Sequence, residues 1–169
     1  MANSCQHIKM KILQIINYPN KILKKVSEDV SEISKEFIND LKYTMYAHSG
    51  LGLSAIQVGN PQRVFVIDNE KLNCEHWCFV NPEVIDFSKE KSLNEEGCLS
   101  FPDLFIKVKR SNLIKMRALD INGNEFEIEA DGLLAQCLSH EFDHLNGKLL
   151  FDLANMFDKK KIKKTFLDM

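Results

Sequence analysis

At 169 residues, 44% of them hydrophobic and 27% charged, the chain has the apolar material for one folded core and is read as a single domain over residues 10–169. A formal net charge of −2 gives no global reason to expect DNA, RNA or an anionic membrane surface as a partner. No apolar run approaches the roughly 20 residues that cross a bilayer.

Residues 1–9 (MANSCQHIK) lack an apolar segment, so they read as an N-terminal extension or a cloning remnant rather than a signal peptide, and Met10 would serve as a start. From Ile33 to His48 the apolar residues Ile33, Phe37, Ile38, Leu41 and Met45 recur at helical spacing, and Gly50 is placed to end that helix. Residues 63–68 (RVFVID) read as a buried strand. Residues 77–80 (WCFV) read as a second, with Pro82 just beyond it. Segments 105–110 and 113–119 alternate as half-buried strands, and Asn122-Gly123 marks a tight turn into a return strand over 126–129. Asp131 is suited to cap the N-terminus of a helix and Gly147 to follow its C-terminus, and a last helix is expected over about 155–167. The expected fold is α+β, with mostly antiparallel strands around a central helix and a further helix at the C-terminus.

The central helix carries His140-Glu141-Phe142-Asp143-His144. Positions i and i+4 share one helix face, so both imidazoles can reach one metal ion. A catalytic metal site usually has three protein ligands and an open position. After His144 there is no further histidine or glutamate, which places the third ligand upstream. Cys137 lies on the same face, but seven residues separate it from His144, about 10 Å at ~1.5 Å per residue. Ligand bonds of about 2 Å cannot cover that span, so Cys137 reads as a small apolar residue beneath the site. Cys74 and Cys78, with His76 between them, are a weak second metal signal. Cys98, beside Gly97, is favoured as the third ligand, with a buried free thiol as the alternative. The five cysteines (Cys5, Cys74, Cys78, Cys98, Cys137) are odd in number and scattered, which suits a reducing cytoplasm better than a disulfide framework.

Three separated stretches together resemble the peptide deformylases: Gly50-Leu51-Gly52-Leu53-Ser54-Ala55-Ile56-Gln57, Glu96-Gly97-Cys98-Leu99-Ser100, and His140-Glu141-Phe142-Asp143-His144. Tyr18-Pro19-Asn20-Lys21-Ile22-Leu23 is similar to the family's opening segment, and the resemblance runs from Met10 to about Lys164. It implies removal of the formyl group from N-formylmethionine on newly made polypeptides. It implies Cys98, His140 and His144 as metal ligands and Glu141 as the acid/base. Gln57 and the backbone N–H of Leu99 would face the oxyanion. The implied ion is ferrous iron (Fe2+), with zinc, nickel or cobalt able to take its place. Gly50, Leu51, Gly52, Gly97, Leu133 and Cys137 are the residues expected to touch the peptide.

Ser54 departs from the alanine common in the family, and a hydroxyl in a tight loop needs a hydrogen-bond partner. Asn94 and Gln136 fall where aliphatic walls for the methionine side chain are expected. Arg110 can pair with Glu95 or Glu96, and Asp143 can orient a neighbouring group. The basic stretch 158–164 (DKKKIKK) reads first as a solvated helix face. The resemblance adds docking on ribosomal RNA.

Overall fold

The structure is a computed structural model that describes residues 10–167; the expectation for residues 1–9 lies outside it. After a 3₁₀ turn at Lys21–Lys24 come α1 (Lys35–Ala47), β1 (Gly52–Ser54), a second 3₁₀ turn (Ala55–Val58) and β2 (Val64–Ile67). The strands β3 (Cys78–Phe87), β4 (Lys91–Cys98), β5 (Phe101–Ser111), β6 (Leu113–Leu119) and β7 (Glu125–Asp131) follow. The chain then forms α2 (Gly132–Leu145), a short α3 (Leu150–Leu153) and α4 (Met156–Phe166). A five-stranded sheet has the order β1-β2-β3-β6-β7, β4 and β5 form a separate ribbon, and every strand pair is antiparallel. The α+β expectation holds.

Strand β2 is covered on both faces of the sheet. All four of its residues are buried, and its side chains alternate between faces. Phe65 and Ile67 pack in the cluster with Phe79, Met116 and Leu138 of α2. Val64 and Val66 pack in the cluster with Ile38, Leu41 and Met45 of α1. The β4–β5 ribbon is buried on one side only. Leu104, Ile106 and Val108 point into a third cluster with Leu149, Leu150 and Ile162, while Phe105, Lys107 and Lys109 face out. The N-terminal segment ties the halves together: Ile16 N–H donates to Gln57 O at 2.8 Å and Tyr18 N–H to Ser100 O at 2.9 Å.

Several expectations change. The strand read at 77–80 continues through Pro82 to Phe87, because the ladder with β6 shifts register between Val80 and Glu83. A proline needs no ladder donor at such a bulge. Asn81, at φ +49°, holds the bulge through its amide, which accepts from Val30 N–H at 2.7 Å and donates to Val30 O at 2.9 Å. Strand β4 has no counterpart in the expected elements. Helix α1 ends with Ser49, not Gly50, in the left-handed region (φ +56°), and Gly50 N–H donates to Met45 O at 3.0 Å. Gly50 answers a steric need: a Cβ there would lie 2.8 Å from Leu99 Cδ1. Gly147 does follow α2 in the left-handed region, at φ +69°.

Candidate active site

Helix α2 presents His140 and His144 on one face, and the end of β4 brings Cys98 to them. His144 Nε2 lies 3.2 Å from His140 Nε2 and 3.2 Å from Cys98 Sγ. The three ligand atoms all fall within 4.8 Å of one another. Among the described residues this is the one group of histidine, cysteine and acidic side chains arranged to hold a metal. The donor set fits an ion: His140 Nδ1 bonds Glu96 Oε2 at 3.0 Å, so its Nε2 turns a lone pair toward the thiol and the second imidazole.

The weak signal at Cys74, His76 and Cys78 is not a site. His76 stacks on Phe126 with ring centroids 3.6 Å apart, and Cys78 is buried, its thiol pushed up to about 12 by that burial. Cys137 stands apart from the ligand group, as the spacing argument requires. Its Sγ lies 3.5 Å from Leu51 O, and burial pushes its thiol well up.

Around the ligands lies a cleft of about 690 Å³. Gly50, Leu51, Gly52, Gln57, Gly97, Cys98, Leu99, Leu133, Cys137, His140 and Glu141 all line it, whereas His144, 1% exposed, does not. Of the two polar positions expected in the side-chain wall, Gln136 lines the cleft and donates to Glu95 O at 2.9 Å. Asn94 does not line it; it lies in β4 opposite Val108.

The sequence matches the profile of the polypeptide deformylases over residues 12–160. The chain belongs to that family. It is similar to the Legionella pneumophila peptide deformylase (37% identity, 90% of this chain and 92% of that one, TM-score 0.85). It is similar to the Plasmodium falciparum enzyme (34%, 92% and 94%, TM-score 0.84). The Ehrlichia chaffeensis enzyme in complex with actinonin is 38% identical over 92% of this chain and 98% of that one, at TM-score 0.82. This deformylase is a metal-dependent hydrolase that removes the N-formyl group from nascent polypeptides.

Behind Cys98, His140 and His144 lies a charged network only partly visible in the sequence. Arg110, at an inward position of β5, donates to both oxygens of Glu96 at 2.8 and 3.0 Å and also to Asp143 of α2. Burial alone would raise the Glu96 carboxyl. The hydrogen bonds from His140 and Arg110 outweigh that and hold it at about 2. Glu95, the other acidic candidate, is not a partner of Arg110. His144 is driven well below the usual imidazole range by burial, reinforced by His140 and Arg110. Burial also opposes a charge on His140, but the Cys98 sulfur and Glu96 outweigh it and raise His140.

Two partners escape the motif reading. Gln57 Oε1 accepts from Ser54 N–H at 2.9 Å, and its Nε2 then points to Ser100 Oγ at 3.1 Å and Cys98 Sγ at 3.5 Å. The Ser54 hydroxyl donates to Glu141 Oε2, which answers the demand for a partner. Burial raises the Glu141 carboxyl; His140 and the Ser54 hydrogen bond act the other way.

Proposed function

We propose that Cys98, His140 and His144 hold the metal, that Glu141 is the acid/base, and that Gln57 Nε2 and the Leu99 N–H receive the developing oxyanion. The observation that carries this reading is the convergence of one sulfur and two imidazole nitrogens within 4.8 Å of one another in a cleft that Glu141 and Gln57 also line. A metal held by Cys98, His140 and His144 would supply acidified water as the nucleophile and would polarise the formyl oxygen.

Glu141 takes a proton from the attacking water and returns it to the departing amine. Gln57 suits the oxyanion because its carbonyl end is tied to Ser54 N–H, which directs its Nε2 toward Cys98 Sγ and Ser100 Oγ, beside the metal-binding group. Strand β1 is at an edge of its sheet, so the backbone at Gly52, with Gly50 and Leu51 leading into it, can pair with an extended peptide as an added strand. A Cβ at Gly52 would sit 2.5 Å from Glu141 Oε1, so a side chain there would displace the acid/base. Gly97 borders the peptide from the opposite side of the cleft, and Leu51, Leu133 and Cys137 form the wall for the methionine side chain, with Gln136 as a polar rim.

The thiolate and two imidazoles suit ferrous iron, and also zinc, nickel or cobalt. Four free cysteines among the described residues suit a reducing cytoplasm. Among those residues no helix is long and apolar enough to cross a membrane. Residues 10–169 are assigned to one catalytic domain, and the similarity to the Ehrlichia enzyme makes actinonin a ligand for its cleft. The exposed lysines of α4 (Lys160, Lys161, Lys163 and Lys164) form the surface assigned to ribosomal RNA; ribosome co-sedimentation that fades with added salt is the expected result.

Formate release from formyl-Met-Ala-Ser, with metal analysis of the same sample, tests the core of the reading. Turnover is expected only of the formylated peptide and only with metal present.

A further inference from the structure

Ser54 touches both side chains assigned to the chemistry. Its backbone N–H fixes Gln57 Oε1 at 2.9 Å, and its hydroxyl donates to Glu141 Oε2 and lies 3.4 Å from the Glu141 backbone oxygen. Ser54 is 0% exposed and Glu141 3% exposed, so water does not replace this contact if the hydroxyl is removed. No hydrogen bond among the described residues falls on Glu141 Oε1, the oxygen set against Gly52 on the cleft wall. A hydroxyl has one proton to donate. Spent on Oε2, it pins that oxygen and leaves Oε1 as the one able to meet water and the amine.

We propose that Ser54 is a positioning residue for deformylation: it anchors one oxygen of Glu141 so that the other addresses the substrate. An alanine here would leave the Glu141 carboxylate free to rotate and lacking a partner. The benefit belongs to the reacting geometry rather than to peptide binding, because Ser54 itself is not part of the cleft lining. The proposal rests on Glu141 as the acid/base.

The test compares the unchanged enzyme with Ser54→Ala, Ser54→Cys, Ser54→Thr and Glu141→Ala. Each is loaded with nickel, assayed for formate release, and analysed for metal and thermal unfolding. Ser54→Ala and Ser54→Cys are expected to lower kcat about tenfold with full metal content and KM within about twofold, while Ser54→Thr, which keeps a hydroxyl, retains at least about half of kcat. Ser54→Cys conserves bulk, so it carries the test if the alanine variant does not fold. The proposal is overturned if both variants stay within about twofold of the unchanged kcat, or if the loss follows a raised KM or lost metal. Full activity in Glu141→Ala would instead remove the acid/base reading itself. Loss in Glu141→Ala alongside full activity in Ser54→Ala and Ser54→Cys would remove only the role of Ser54.

Discussion

The Glu96 carboxylate accepts from Arg110 through both oxygens and bonds His140 Nδ1 through one of them, all under nearly complete burial. Removing it strands a buried guanidinium and frees the ring proposed to present Nε2 to the metal. Glu96→Ala is therefore expected to weaken metal binding by about 10–100-fold, measured by competition with a chelator; unchanged affinity would show that the imidazole is aligned without it. Glu141 calls for a different outcome, since it lies between the two proposed histidine ligands in sequence and is proposed as acid/base. Glu141→Ala is expected to retain the metal and lose about 10²–10⁴-fold in kcat, read by formate release beside metal content. The residues proposed for the chemistry stood out in the sequence because their types and spacings are distinctive. Their supports were less so: Ser54 meets Glu141 across 87 positions and Glu96 meets His140 across 44, and no local pattern marks either contact.

Secondary-structure elements show the same division. The β6–β7 hairpin was legible from Asn122-Gly123 because its turn is satisfied locally. Asp120 Oδ1 accepts from the N–H of Asn122 at 2.7 Å and of Asn124 at 2.9 Å, and Asp120 Oδ2 accepts from Asn124 Nδ2 at 3.0 Å. Those bonds, the Asn124 side chain first, hold the Asp120 carboxyl below its usual range. A carboxylate with a lowered folded-state pKa stabilises the fold above its ordinary pKa, and that help disappears as pH falls through the folded value. Asp120→Ala is expected to lower the melting temperature near neutral pH and to narrow the gap from the unchanged chain as the solution is acidified below pH ~4, followed by thermal unfolding against pH. A gap that stays constant with pH would assign the effect to something other than this carboxylate. Strand β4 was not legible. Its sequence, KSLNEEGC, lacks an apolar alternation, and its most buried side chain is the charged Glu96. It is a strand because β5 pairs with it from Lys91↔Ser111 to Cys98↔Phe101.

At the scale of the molecule, the metal site sits where α2 meets the end of β4, and its thiolate is a soft, oxidisable donor. The iron-loaded enzyme is expected to lose activity in air while the nickel-loaded enzyme keeps it, followed as residual formate release over time. Equal lifetimes would argue against ferrous iron as the labile native ion. The sequence by itself determined what depends on near neighbours. The four-residue interval that puts two imidazoles on one helix face is local, as are the turn at Asp120–Asn124 and the alternation that buries one side of β5. The tertiary structure decided what depends on register and packing. Cys98 meets His144 across 46 positions only because the β4–β5 ribbon ends against α2. The same approach places Arg110 between Glu96 of β4 and Asp143 of α2, and the end of β1 with the 3₁₀ turn after it sets Ser54 and Gln57 beside the metal-binding group. A chain's own geometry dictates spacing along one element. Which elements meet is settled by burial of the shared apolar faces, and that is a property of the whole fold.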